Sequence, residues 1–349
     1  MDGSTVRLGS AYYQDKLQTL SEMFPASDVR LEADALIVGD KTYPIVDDVI
    51  ILIDPEQYPQ RVRDAQNDPT QPPTGRKTHT DGRPFAEDIQ YTFGAEWQRY
   101  DEVVPEYDTV FDTYFDIVDL EELRGKRVCD LGCGTGRWAK LLSEKTELKE
   151  IVCSDFSEAI FVARRNLNDV PNALFFMADL QRLPFKEDFC DFLYCLGVLL
   201  TLPTDQLDQV RALRKFAPKM LFYTYYSLDN RPFWWRGIFL LVNLLRLAVY
   251  RIRNPIFRDC LTWSIAAFVY RPAMVVGYLL RPFGLAKYVP LYQDHHNLNF
   301  RWWRLLAYDR FFCGIENRVS RKEILTLNDT FSNVTVSPNS GYWHFLCER

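Results

Sequence analysis

Val128-Cys129-Asp130-Leu131-Gly132-Cys133-Gly134-Thr135-Gly136 is the stretch on which the fold turns. An apolar run ends in three alternating glycines, and GRWAKLLSEKT follows with helical spacing, so the order is strand, sharp turn, helix. Glycine is needed where a backbone turns tightly and approaches a ligand too closely for a Cβ. The spacing is GxGxG. A dinucleotide fingerprint would place its third glycine where Arg137 stands. Asp130, just before the turn, suits a ligand carrying an ammonium group and would repel a pyrophosphate.

Around this stretch strands and helices alternate. KRVCDLGC, KEIVCSD, ALFFMADL, DFLYCLGVLL and KMLFYTYYSL read as strands, with helices in GRWAKLLSEKT, EAIFVARRNL and DQLDQVRALRKF. Such alternation predicts an α/β, Rossmann-like doubly wound sheet, mostly parallel, with right-handed crossovers. SNVTVSPNSGYWHFLCER adds two strands about a Pro-Asn-Ser-Gly turn, making the last strand antiparallel. The ligand crevice of such a sheet lies beyond the strand ends. Asp155 closes the second strand, 19 residues after Gly136, and can accept hydrogen bonds from ribose hydroxyls; Asp179, after the third, can accept from an exocyclic amine.

With three acids at three successive strand ends, the segment resembles the class I S-adenosylmethionine-dependent methyltransferases, over roughly Gly125 to Leu228 and the closing strands. The resemblance implies S-adenosyl-L-methionine as cofactor. It implies Asp130, Gly132, Gly134 and Gly136 around the methionine moiety, Asp155 and Phe156 at the ribose, Ala178, Asp179 and Leu180 near adenine, and Leu196 and Gly197 beside the cofactor. The competing reading is a tight turn whose acids are helix caps. Upstream, FGAEWQRY (Phe93 to Tyr100) resembles a lead-in helix whose Trp97 and Arg99 reach the methionine end; packing of Phe93 and Trp97 into the core explains the same residues. KTYPIVDDVIILID resembles the small domain related to the Trm112 methyltransferase activators. With no cysteine before Cys129, this copy is expected to be metal-free, and no metal site is expected elsewhere.

Composition fits this picture. The 349 residues are 47% hydrophobic and 25% charged with a net charge of −6, which excludes a disordered chain, a fibre and a small disulfide scaffold. The acidic balance also excludes a protein that coats nucleic acid by charge alone, so DNA is not an expected partner. Eight cysteines without a CxxC pair, mostly inside apolar runs, predict thiols of a reducing compartment, and the first thirty residues show no secretion signal. A cytoplasmic location is expected, with possible peripheral contact to a membrane. Five segments follow from the pattern: a small β-rich element (1–65), a Pro- and Gly-rich linker (66–88), the cofactor-binding core (89–228), a helical, arginine- and aromatic-rich insertion (229–305), and the last helix and strands of the core (306–349).

The acceptor is less legible. After the fourth strand the run GVLLTLP offers no histidine, so that position supplies no base. Asp294-His295-His296 follows the insertion and is the candidate catalytic group, an acid beside imidazoles; a solvated polar loop is the alternative. His79 lies in the linker and His344 in the last strand. Residues 231–290 carry eight Arg and one Lys against the single acid Asp259. Their apolar runs, broken by Arg246, Arg251, Arg253, Arg258 and Arg271, fall short of the ~18 charge-free residues of a spanning helix. An interfacial or groove-forming cap with snorkelling arginines is expected, lidding a small-molecule or lipid-linked acceptor; an RNA patch and a cap buried against the sheet are alternatives. The predicted activity is methyl transfer to a small organic, glycan or lipid-linked acceptor, foremost on oxygen. N- or C-methylation, RNA methylation and a non-catalytic cofactor-binding scaffold remain open.

Overall fold

The computed structural model describes residues 9–66, 107–225, 227, 234–252, 254–312, 315–338 and 342–349, without the side chains of 234, 235, 293 and 294. Trp97, Arg99, His79 and nearly all of the linker lie outside the described residues. Contacts divide the chain into two units, one of residues 1–225 and 317–349, the other of residues 226–316.

The first unit is built on eleven strands: β1 (Val29–Leu31), β2 (Ala35–Val38), β3 (Lys41–Val46), β4 (Val49–Ile51), β5 (Arg127–Leu131), β6 (Glu150–Asp155), β7 (Ala173–Met177), β8 (Phe192–Leu196), β9 (Lys219–Thr224), β10 (Asn333–Val336) and β11 (Trp343–Glu348). Their order is β1-β2-β3-β4-β7-β6-β5-β8-β9-β11-β10. The strands β7, β6, β5, β8 and β9 pair in parallel, and β11 closes antiparallel on β9, as the alternation predicts. β5 is buried along its whole length, which is why RVCDL reads as an unbroken apolar run with one conspicuous acid. Helices α1 (Leu17–Met23), α2 (Gln60–Ala65), α3 (Tyr107–Tyr114), α4 (Arg137–Lys145), α5 (Ala159–Asn166) and α6 (Gln206–Leu213) belong to the same unit.

Two expectations change here. The N-terminal element is not a domain of its own: it holds four strands, and β4 pairs in parallel with β7, so the sheet runs on without a break. Tyr12 and Tyr13 fasten it, their hydroxyls donating to the carbonyls of Ala173 (2.9 Å) and Phe175 (3.2 Å) on β7. Arg127 on β5 adds a buried tie, its guanidinium pairing with Glu150 (3.0 Å) and with Glu22 of α1 (2.7 Å). The second change is in DFLYCLGVLL, where the strand stops at Leu196: Gly197 takes φ +77° and Leu199–Thr201 coils into a 3-10 turn.

The second unit is helical: α7 (Trp234–Val249), α8 (Pro255–Ile265), α9 (Arg271–Leu280) and α10 (Phe300–Phe312). A π-helical segment, Ala266–Tyr270, joins α8 to α9, and one helical run of 29 residues extends from Pro255 to Phe283. That run is long and apolar enough to cross a membrane. The counting of charge-free residues missed this because Arg271 interrupts the sequence but not the helix. The boundary at residue 305 also moves. Tyr308, Phe311 and Phe312 of α10 bury against Val242, Val249, Leu261 and Ile265, so this helix belongs to the insertion and the unit ends at Glu316.

Candidate active site

The glycine loop leaves β5 and enters α4. Gly132, Gly134 and Gly136 all have positive φ (+81°, +55° and +74°). A Cβ on Gly132 would lie 2.2 Å from a methyl carbon of Val198, and one on Gly136 would lie 2.4 Å from Leu167. Two demands therefore meet at these positions, a left-handed backbone and close packing, and only glycine satisfies both. The amides of Gly132 and Cys133 donate to the Ser154 carbonyl (2.7 and 3.0 Å), pinning the loop to the end of β6.

Asp155 holds the other side. One carboxylate oxygen accepts from the Gly134 amide (2.8 Å), the other from the Ser157 amide (2.8 Å) and hydroxyl (2.7 Å). Each oxygen can accept about two hydrogen bonds, so the oxygen facing Gly134 retains capacity for a ligand donor. Burial raises the Asp155 carboxyl, while the Ser157 and Gly134 donors pull it back. Asp179 differs: it accepts from the Gln181 amide (2.9 Å) and caps the 3-10 turn Leu180–Arg182, so the helix-cap reading describes part of its role. Ala178 is buried beside it and donates its amide to the Asp155 carbonyl (3.0 Å). Phe156, Leu196 and Gly197 sit at the same strand ends, partly exposed.

Asp130 is the exceptional group. It is 1% exposed, and its Oδ2 has no hydrogen-bond partner among the described residues. Burial pushes its carboxyl up to about 8; the Asp155 charge adds to the rise, and the Tyr194 hydroxyl and the Arg137 cation oppose it. A buried carboxyl oxygen without a donor is costly unless something cationic or protic completes it. Beside a loop of three left-handed glycines, this fits the ammonium end of an amino-acid-like ligand.

One feature of the site escaped the sequence reading. Tyr114, Tyr223, Tyr225 and Tyr342 cluster at the ends of β9 and β11, with ring centroids 4.6 Å (Tyr114–Tyr223), 6.2 Å (Tyr223–Tyr225) and 5.7 Å (Tyr223–Tyr342) apart. Tyr223 accepts the Gly197 amide on its carbonyl (3.2 Å), so the cluster adjoins the crevice. His344 lies under it, fully buried, with Nε2 3.2 Å from Asp116 Oδ1; burial holds its imidazole below the usual range although Asp116 opposes this. The available signal was the i, i+2 spacing of Tyr223 with Tyr225 and of Tyr342 with His344, which puts each pair on one face of its strand.

The second unit holds the histidine candidates. His295 is buried, its ring 5.8 Å from that of Tyr270, and its carbonyl accepts from the Trp303 indole (3.1 Å). His296 is exposed, stacks on Tyr292 at 4.9 Å and has Nδ1 3.0 Å from the Tyr292 carbonyl. The Asp294 side chain lies outside the described residues. Two arginines expected at the surface are inside. Arg258 donates to the Ile252 carbonyl and the Tyr308 hydroxyl (both 2.7 Å), and Arg246 pairs with Glu316. Among the described residues no cluster of three metal-ligating side chains occurs.

Residues 128–218 match a family model described as a methyltransferase domain. Two curated proteins are similar over part of that stretch. The malonyl-[acyl-carrier protein] O-methyltransferase of Bacillus anthracis is 32% identical over 63 residues, 18% of this chain and 23% of that protein. The protein of the same name from Marinomonas sp. (strain MWYL1) is 31% identical over 105 residues, 28% of this chain and 38% of its own. The chain thus spans well under half the length of the curated relatives it matches. Among solved structures, magnesium protoporphyrin IX methyltransferase from Synechocystis PCC 6803 superimposes with a TM-score of 0.42 at 15% identity, over 74% of this chain and 96% of that one. Strand order, glycine loop and family match agree on a doubly wound α/β fold in which residues 128–218 are similar to a methyltransferase domain. The likeness of the N-terminal strands to a Trm112-type domain has no such support.

Proposed function

We propose that the protein transfers a methyl group from S-adenosylmethionine to an oxygen atom of a small organic, glycan or lipid-linked acceptor. The observation that carries this reading is the orphaned, buried Oδ2 of Asp130 at the strand end from which the left-handed glycine loop departs. Asp130 and the loop amides would hold the amino-acid end, Asp155 the ribose, and Ala178, Asp179 and Leu180 the base. When bound, S-adenosylmethionine supplies an electrophilic methyl on a positively charged sulfur. The chain then has to align the acceptor and exclude water from it. Tyr225 and Tyr342 at the rim of the strand ends can donate hydrogen bonds to an acceptor oxygen.

A carboxylate acceptor is already ionised and needs no base, which agrees with the absence of a histidine after β8 and with the malonyl O-methyltransferase names of the curated relatives. A hydroxyl acceptor needs a proton sink. Asp294, His295 and His296 are proposed for that role.

The test incubates the protein with methyl-labelled S-adenosylmethionine and either acyl-carrier-protein-linked malonate or a lipid extract. Label in either fraction, lost in Asp155→Ala together with cofactor affinity by calorimetry, is the expected result. Cofactor binding without label in any fraction refutes methyl transfer and leaves a scaffold. Turnover that persists in His295→Ala/His296→Ala assigns the reaction to an acceptor that needs no base.

A further inference from the structure

Among the described residues, every large apolar side chain that stands strongly exposed lies between Ile238 and Tyr288, in the helical unit. On α7 and on the run from Pro255 to Phe283, large apolar side chains face outward, the reverse of a helix on a protein in water. On α7, Ile238, Leu241, Leu244 and Leu245 point outward, while the inward row carries Arg246 between Val242 and Val249. In the run from Pro255 to Phe283, the inward row is Arg258, Thr262, Ala266, Tyr270, Met274 and Gly277. Its outward row is Ile256, Trp263, Phe268, Val275, Leu279 and Phe283, with Ile256 and Phe283 both 73% exposed. A water-facing helix puts its polar residues outside. Here Arg246 and Arg258 are inside and satisfied by the unit itself, while large hydrocarbon side chains stand outside.

The charges around this surface have one sign. Arg236, Arg251, Arg271, Arg281 and Lys287 are exposed, while Asp259, the single acid of residues 231–290, pairs with Arg304. A second copy of the unit would bring like charges together, and aliphatic leucines and valines give nucleobases little to stack on. Acyl chains and anionic headgroups match both features at once.

We propose that residues 226–316 form a module that docks on an anionic lipid bilayer, with the outward rows of α7, α8 and α9 among the acyl chains and the exposed arginines on lipid phosphates. The module lies in the interface. At 1.5 Å per residue the run of 29 would reach across the ~30 Å hydrocarbon core, but Arg271, exposed near its middle, would then sit at the bilayer centre. Lying flat places that guanidinium among headgroups. The inference stands whether or not the first unit transfers methyl groups.

The full chain is floated with vesicles of phosphatidylcholine, with and without phosphatidylglycerol, over a salt series. Strong flotation is expected with the anionic vesicles only, weakening with salt and released by alkaline carbonate. Arg271→Ala/Arg281→Ala/Lys287→Ala should lower partitioning roughly a hundredfold and flatten the salt dependence. Leu241→Ser/Leu244→Ser/Leu279→Ser should lower it at least as much on the anionic vesicles while keeping the salt dependence. All six sites are exposed, so circular dichroism should show the helices kept. A chain that stays with the soluble fraction, that buries this face in a stable oligomer by sedimentation velocity, or that binds RNA in preference to vesicles overturns the proposal. Resistance to alkaline carbonate overturns the interfacial placement.

Discussion

Asp130 links the ligand to stability through a proton. Burial carries its carboxyl from 3.8 to about 8, so near neutral pH the folded chain without ligand holds a proton that the unfolded chain gives up. The folded state then binds more protons, and stability falls as pH rises. This contribution is fully present below about pH 4 and is lost as pH climbs through about 8. Asp130→Asn should flatten that slope in thermal melts taken across the range. A cationic ligand favours the ionised carboxylate, so binding of S-adenosylmethionine near pH 7 should release a proton. Calorimetry in buffers of different ionisation enthalpy measures that release, and Asp130→Asn should abolish it. Gly132→Ala tests the loop: the new Cβ meets Val198 in a backbone that disfavours any side chain, and a loss of roughly 1–3 kcal/mol is expected by denaturant titration. Adding Val198→Ala should recover only the steric part. At this scale the sequence was informative where chemistry is local, since Asp130, Asp155 and the glycines announce themselves by spacing. It was silent on Asp116 and His344, which lie more than two hundred residues apart and meet only when β11 returns to β9.

Strands and helices of the first unit could be read from their periods, because a parallel core strand is a short apolar run and its crossover helix repeats at 3.6. The insertion misled the same rules. Its first helices expose large apolar side chains, so hydrophobic periodicity marks the wrong face there, and Arg246 and Arg258 look like surface breaks when they are internal fasteners. From Arg258 to Met274 the inward row of the long run advances in steps of four residues, which on an α-helix drifts by about 40° per step. The wider π turn at Ala266–Tyr270 takes up part of that drift and keeps Tyr270 and Met274 on the buried side. Arg258 anchors this arrangement. Arg258→Met keeps the bulk but leaves the Tyr308 hydroxyl and the Ile252 carbonyl without their donor, and should cost the helical unit about 1–3 kcal/mol. Hydrogen exchange at the amides of α8 and α10 reads that loss directly.

For the whole molecule, the sequence placed the insertion but not how cleanly it joins. The Val319 amide donates to the Tyr225 carbonyl (3.1 Å), so the residues flanking the helical unit are already neighbours in the sheet unit. Replacing 226–316 by a short Gly-Ser linker should therefore leave the sheet folded and cofactor affinity within a few-fold by calorimetry. The other end of the sheet has a different history. Tyr12 bonds to Ala173 across 161 residues of chain, and β4 finds its parallel partner only in β7. During synthesis the first strands leave the ribosome long before that partner exists, and contacts so distant in sequence form slowly. Until β7 arrives, β4 is an unpaired, fully apolar edge of the sort that chaperones shield. This early-made segment is thus locked in place late, and the newborn chain is vulnerable to aggregation there.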